Sequence, residues 1–168
     1  HKPDRRQRQM CIRDRAYDAD KAIEVLRTLI AARLKPKVFE QPVRRGDWEG
    51  LRKVKEFAEQ YSIAVIADES CRTPEDAERI ARGELAHGIN IKIAKQTLAG
   101  AILIAAIARE HDLRLMVGGM VETQIAMAFS AHFAAGIGGM EYIDLDTPHL
   151  LADSPVLGGY PLTGSQID

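Results

Sequence analysis

Apolar residues fall along this chain in short unbroken runs that alternate with longer stretches of helical period. The clearest run, Ile63-Ala64-Val65-Ile66-Ala67, stops abruptly at Asp68-Glu69-Ser70 and predicts a buried strand that delivers acid groups at its C-terminal end. Apolar side chains in both directions suit a parallel sheet with both faces covered. Comparable strands start near Lys37, Ile89, Arg114 and Glu141, at intervals of roughly 26 residues, the length of one strand plus one helix.

Helices are expected between them. Asp18 caps a helix from Ala19 to about Leu34, with Pro36 just beyond, and Asp47 caps another from Trp48 to Gln60. Thr73-Pro74-Glu75-Asp76 is a helix start that Gly83 closes. Leu98 to about Glu110 is apolar all round, which argues for burial against neighbours on every side. The last helix is expected from about Glu122 to Ala135. The tail, with Gly158, Gly159 and Gly164, reads as irregular structure or a short hairpin.

Right-handed crossovers of this length close either a doubly wound sheet or a barrel. The charged residues decide, because Glu40, Asp68, Lys92 and Asp144 each end a different strand. A barrel gathers groups from many strand ends on one rim, whereas a doubly wound sheet collects them at one switch point. The expected fold is therefore α/β, a partial (β/α)8 barrel of TIM type. At 168 residues the chain is shorter than the roughly 250 of a whole barrel, so it is expected to be a piece of a larger protein.

Composition narrows the function. With 46% hydrophobic residues the chain can bury one sizeable core. A net charge of -1 gives no reason to expect nucleic acid or an anionic membrane as partner. The longest apolar run is too short to span a bilayer. Cys11 and Cys71 make neither a disulfide framework nor a metal motif, so the expected location is the cytoplasm. His1 to Arg15 is basic and has no period; Met10-Cys11-Ile12-Arg13-Asp14-Arg15 resembles a translated sequencing-adapter run. Residues 1–15 are thus expected to be non-native or disordered, with a natural basic arm as the alternative.

Glu40 and Asp68 on adjacent strands would stand about 5 Å apart, and two hard oxygen donors at that spacing suit Mg²⁺. Lys92, from the next strand, would reach the same space, where a neighbouring cation favours the neutral amine that can take a proton from carbon. The suggested chemistry is proton abstraction beside a carboxylate, through an enediolate. Each acid alone could equally be a solvated strand end. Glu69 is either a partner for Lys92 or a loop acid, and Lys92 could instead form a Schiff base, as in aldolase-type barrels. His87, His111, His132 and His149 fall at strand starts, helix ends or loops and offer no rival base. Gly136-Ile137-Gly138-Gly139 precedes a strand, so it is not a dinucleotide loop.

Glu40-Gln41-Pro42, Ala67-Asp68-Glu69-Ser70, Asn90-Ile91-Lys92 and Gly118-Gly119-Met120-Val121-Glu122 resemble successive strand-end motifs of the enolase superfamily, in its muconate-lactonizing-enzyme subgroup. Asp144-Leu145-Asp146-Thr147-Pro148 is similar to the aspartate pair of the dipeptide epimerases in that subgroup. The resemblance implies that residues 16–168 are an incomplete enolase-type C-terminal barrel domain, strands four to eight. It implies Glu40 and Asp68 as two of three Mg²⁺ ligands and Lys92 as one of two acid/base lysines. Asp144 and Asp146 would anchor the α-ammonium group of a dipeptide, a role two carboxylates at i and i+2 can fill, although the same residues can simply form a turn. Glu69 and Glu122 would orient these groups.

The implied activity is epimerisation of a dipeptide at its α-carbon, with a muconate cycloisomerase or an o-succinylbenzoate-synthase-like enzyme as alternatives. The implied partner is a small molecule, with a homo-oligomer open for the parent protein. The first metal ligand of the family should fall just before Tyr17, where the adapter-like run stands, and the opposite lysine and the capping domain are absent. The chain alone is therefore expected to be inactive, a truncated barrel.

Overall fold

In a computed structural model, which describes residues 9–11, 17–153, 162–163 and 166–167, six strands form one parallel sheet in the order of the sequence. They are β1 (Gln9–Cys11), β2 (Val38–Glu40), β3 (Ala64–Ala67), β4 (Gly88–Ile91), β5 (Arg114–Gly118) and β6 (Met140–Asp144). The connecting helices are α1 (Ala19–Ala31), α2 (Trp48–Glu59), α3 (Pro74–Arg82), α4 (Leu98–Glu110) and α5 (Gln124–Ile137). A short 3-10 turn, Thr147–Leu150, follows β6, and β7 (Leu162–Thr163) pairs antiparallel with β8 (Gln166–Ile167) as a small hairpin.

Because side chains alternate across a strand, β2 to β5 send their even-numbered residues to one face of the sheet and their odd-numbered residues to the other, and β6 follows from Tyr142 onward, past the register shift beside Met140. Odd positions Phe39, Val65, Ala67, Ile89, Ile91, Leu115 and Val117 join one core cluster with helix residues such as Leu26, Leu51, Ile80, Ile104 and Met127. Even positions Val38, Ala64, Ile66 and Met116, with Tyr142 against them, form a separate cluster to which no helix contributes among the described residues. Helices thus cover one face only. The doubly covered sheet that the apolar runs first suggested is replaced by the partial barrel, whose inner face is filled by the strands' own side chains.

The five strands read from the apolar runs are β2 to β6. β1 lies within the segment expected to be non-native or disordered: Gln9–Cys11 runs parallel to β2, Gln9 opposite Val38 and Cys11 opposite Glu40. Backbone pairing needs only N–H and C=O groups along the neighbouring edge, so a segment without side-chain period can still join a ladder. Residues 1–8 and 12–16 lie outside the described residues, as do Gly158, Gly159 and Gly164.

Helix ends follow their capping chemistry. Asp18, Asp47, Thr73, Thr97 and Thr123 each accept a backbone N–H in the first turn, and Thr73 forms a reciprocal box with Asp76. α1 ends three residues earlier than expected because Arg33 takes φ +58. α5 starts after Thr123 rather than at Glu122, whose Oε1 accepts the Met120 N–H at 2.7 Å. The all-round apolar helix α4 is not buried on all sides: Ala101, Ile104, Ala105 and Ala108 face the sheet, while Leu98, Ile102 and Leu103 are about half exposed. One face meets the strands, and nothing among the described residues covers the opposite one.

At the N-terminal end of the sheet, His87 Nδ1 accepts the Val65 N–H at 2.9 Å, which ties β3 to the start of β4. That bond requires the neutral ring. Burial first, then Lys55 and Arg114, hold the His87 imidazole below its ordinary 6.5, with Glu59 opposing. A folded pKa below the unfolded one means stability that is present above pH 6.5 and lost as pH falls through the folded value. His87→Asn retains an acceptor but cannot titrate. Denaturant midpoints at pH 8 and pH 5 should therefore fall more for the wild type than for this variant; equal falls would remove His87 as the cause.

Candidate functional site

From β2 to β4 the charged strand ends step up by two residues per strand, and from β4 to β6 they stay level. Glu40 is opposite Ile66, Ile66 is opposite Gly88, and Gly118 is opposite Asp144. Continuing each ladder puts Asp68 level with Asn90, and Lys92 level with Gly118 and Asp144. All are even-numbered, so all project to the inner face, above the apolar layer of Val38, Ala64, Ile66 and Met116. The structure therefore brings Glu40, Asp68, Lys92 and Asp144 to one rim.

Their geometry is compact. Lys92 Nζ lies 2.8 Å from Asp68 Oδ2 and 3.5 Å from Glu40 Oε1. Glu40 and Asp68 are only 2% and 3% exposed. Asn90 Nδ2 donates to Glu40 Oε1 at 2.6 Å, and Lys95 Nζ donates to the second oxygen of Asp68. Buried carboxylates are costly unless paired, and here the two ammonium groups supply the pairing. Gly118 has no room for a side chain, since a Cβ there would lie 2.8 Å from Asn90 Nδ2 and 3.1 Å from Lys92 Cε.

Asp144 feels the same cluster. Burial first, then the charges of Asp146 and Glu40, push its carboxyl up to about 6, and Lys92 pulls it back. Asp146 sits beside it, exposed, at the start of the 3-10 turn. Glu69 is half-buried next to Asp68, and Glu122 is engaged with the backbone of its own loop rather than with the rim. Cys71 is buried with its thiol pushed up to about 12, chiefly by burial and then by Asp76 and Asp68, so it offers no thiolate.

The structure adds three participants to which the sequence assigned no role of their own, although Gln41 and Asn90 stand within its strand-end motifs. Lys95 reaches Asp68 because the chain turns tightly after β4, the Lys95 N–H donating to Lys92 C=O at 2.8 Å. The Lys92-x-x-Lys95 spacing was the available signal. Asn90 shares the inward parity of Lys92, and its Oδ1 is buried with no hydrogen-bond partner among the described residues. Gln41 spans the ends of β2 and β3 through its side-chain amide.

The donor set can be tested against a divalent cation. Glu40 and Asp68 offer hard oxygens converging on one point, and the surplus negative charge of Glu40, Asp68, Asp144 and Asp146 over Lys92 and Lys95 favours added positive charge. These residues fit Mg²⁺ as part of a ligand set, although no cluster of three or more acidic, histidine or cysteine ligands occurs among the described residues.

Residues 13–164 match the family of enolase C-terminal domain-like proteins (MR_MLE_C). The chain belongs to this family. As an enolase C-terminal domain-like chain it is 51% identical over 150 residues to an L-Ala-D/L-amino acid epimerase of Populus trichocarpa, covering 89% of this chain and 36% of the relative. It is 44% identical over 151 residues to an aromatic dipeptide epimerase of Herpetosiphon aurantiacus, covering 90% of this chain and 42% of that protein. The crystal structure of a dipeptide epimerase from Enterococcus faecalis V583, complexed with Mg and the dipeptide L-Leu-L-Tyr, superposes with a TM-score of 0.78. That match has 32% identity and covers 87% of this chain and 40% of the other. The enolase-type chain thus spans about two fifths of the length of the relatives it matches. No helix among its described residues is long and apolar enough to cross a membrane.

Proposed function

We propose that this chain supplies the strand-four to strand-eight side of the active site of a Mg²⁺-dependent dipeptide epimerase, and that alone it is inactive. The observation that carries the reading is the position of the Lys92 amine, within 3.5 Å of both Glu40 and Asp68 on a rim that also carries Asp144. Relatives named as dipeptide epimerases support the substrate class. Mg²⁺ would be held by Glu40 and Asp68, and when bound it supplies positive charge to the carboxylate next to the reacting carbon.

In this reading Lys92 moves the proton between its Nζ and the substrate α-carbon on one face, and a second lysine from the remainder of the barrel serves the other face. Asn90 holds Glu40, Lys95 holds Asp68, and Gly118 leaves the space through which Lys92 extends. Asp144 and Asp146 accept from the substrate's ammonium, and the pairing offsets the burial and then the mutual repulsion that raise Asp144. Glu69 and Glu122 are proposed only as orienting neighbours. A buried free thiol at Cys71 suits the reducing cytoplasm, the proposed location.

The deciding experiment follows the α-proton of a dipeptide by NMR in D₂O with the full-length parent. Exchange that stops on chelation supports the epimerase. Exchange indifferent to chelation, or borohydride trapping of Lys92 on a carbonyl substrate, would replace it with Schiff-base chemistry. The anchor has its own test: Asp146→Asn should raise KM for dipeptides about tenfold, roughly the loss of one charge-assisted hydrogen bond, with metal affinity little changed. Equal activity on substrates lacking a free amine would point instead to a cycloisomerase or synthase.

A further inference from the structure

We infer that Gln41 is the positioning residue that fixes the spacing of Glu40 and Asp68, and that it acts as a strut between the ends of β2 and β3. This rests on the proposed metal-ligand role of those two carboxylates. Gln41 follows Glu40 directly and takes φ +39, a left-handed conformation that side chains with a Cβ avoid. Such strain persists where surrounding structure over-determines it, and here the side-chain amide supplies that constraint.

All four of its side-chain hydrogen bonds are short. Gln41 Oε1 accepts the backbone N–H of Asp68 at 2.9 Å and of Ser70 at 3.0 Å, while Nε2 donates to Ser70 Oγ at 2.9 Å and to Val43 C=O at 2.8 Å. The Gln41 N–H continues the ladder to Ile66 C=O at 2.8 Å. One residue therefore turns the chain out of β2 behind Glu40 and clamps the backbone of Asp68 from below. The β2–β3 ladder ends at Glu40 opposite Ile66, so no regular strand pairing sets the position of Asp68 against Glu40. The Gln41 amide takes over that task for two residues beyond the ladder.

The variants separate strain from hydrogen bonding. Gln41→Gly accepts the positive φ and removes the amide, so it should fold; Gln41→Met fills the space without polar atoms; Gln41→Glu keeps the acceptor for Asp68 and Ser70. In the full-length parent, Mn²⁺ affinity by calorimetry should fall at least tenfold in the Gly and Met variants and recover partly in the Glu variant. Amide hydrogen exchange at Asp68 and Ser70 should quicken by a similar factor in the first two. In a Glu40→Gln background, the Gly substitution should cost less than threefold, since one of the two groups it spaces is already removed.

A Gly variant that binds Mn²⁺ within twofold of the wild type overturns the strut. A loss of equal size in the Glu40→Gln background also overturns it, since that would be a general structural effect. An unaltered parent that binds no Mn²⁺ fails the metal reading itself, a result distinct from either.

Discussion

Replacing Lys92 with alanine in the full-length parent is expected to lower α-proton exchange by about 10²- to 10⁴-fold, the usual worth of a placed acid/base group. The measurement is deuterium incorporation into a dipeptide. Mn²⁺ affinity should stay within a few-fold of wild type, because Glu40 and Asp68 remain and only a competing ammonium is lost. The two readouts move apart for a reason visible in the geometry: Lys92 Nζ stands beside both carboxylates, at 2.8 Å from Asp68 and 3.5 Å from Glu40, so its removal takes away the proposed proton carrier and leaves both oxygen donors in place. Undiminished exchange in Lys92→Ala would remove Lys92 from the chemistry, and exchange and metal binding falling together would make it structural.

Asp68→Ala should be the most destabilising change on the rim. Asp68 is paired to Lys92 through one oxygen and to Lys95 through the other, and the side chains of both lysines are largely buried. Lys92 would keep Glu40, but Lys95 would lose the carboxylate it holds. Removing one partner of a buried pair costs about 3–5 kcal/mol. In a domain of this size that corresponds to a fall in Tm of roughly 10 °C. Scanning calorimetry on this chain without added metal checks it. An unchanged or raised Tm would mean that the carboxylate is strained for function and contributes nothing to the fold. The double variant Asp68→Ala with Lys95→Met should regain part of the loss, since it removes the orphaned charge along with its partner.

Much of this arrangement was legible because of one periodicity. Strand side chains repeat every two residues, so apolar runs that end in Glu40, Asp68 and Asp144, or carry Lys92 just past Ile91, announce both the inner face and the rim. Helix starts were legible from capping chemistry at Asp18, Asp47 and Thr73. The errors have physical causes as well. α4 reads as wholly buried because composition cannot tell a face packed on strands from one left uncovered. β1, Gln9–Cys11, pairs along the open edge of β2 in a stretch whose sequence has no strand period.

The sequence by itself determined the order of strands and helices, the class of fold, and which charged residues end each strand, since these follow from local period and capping. Only the tertiary structure decided how far apart those charges stand. Lys95 reaches Asp68 through a turn, Asn90 reaches Glu40 across β3, and Gln41 clamps a backbone 27 residues away. Such reach depends on the stagger between neighbouring strands, a property of the assembled sheet that no single segment encodes.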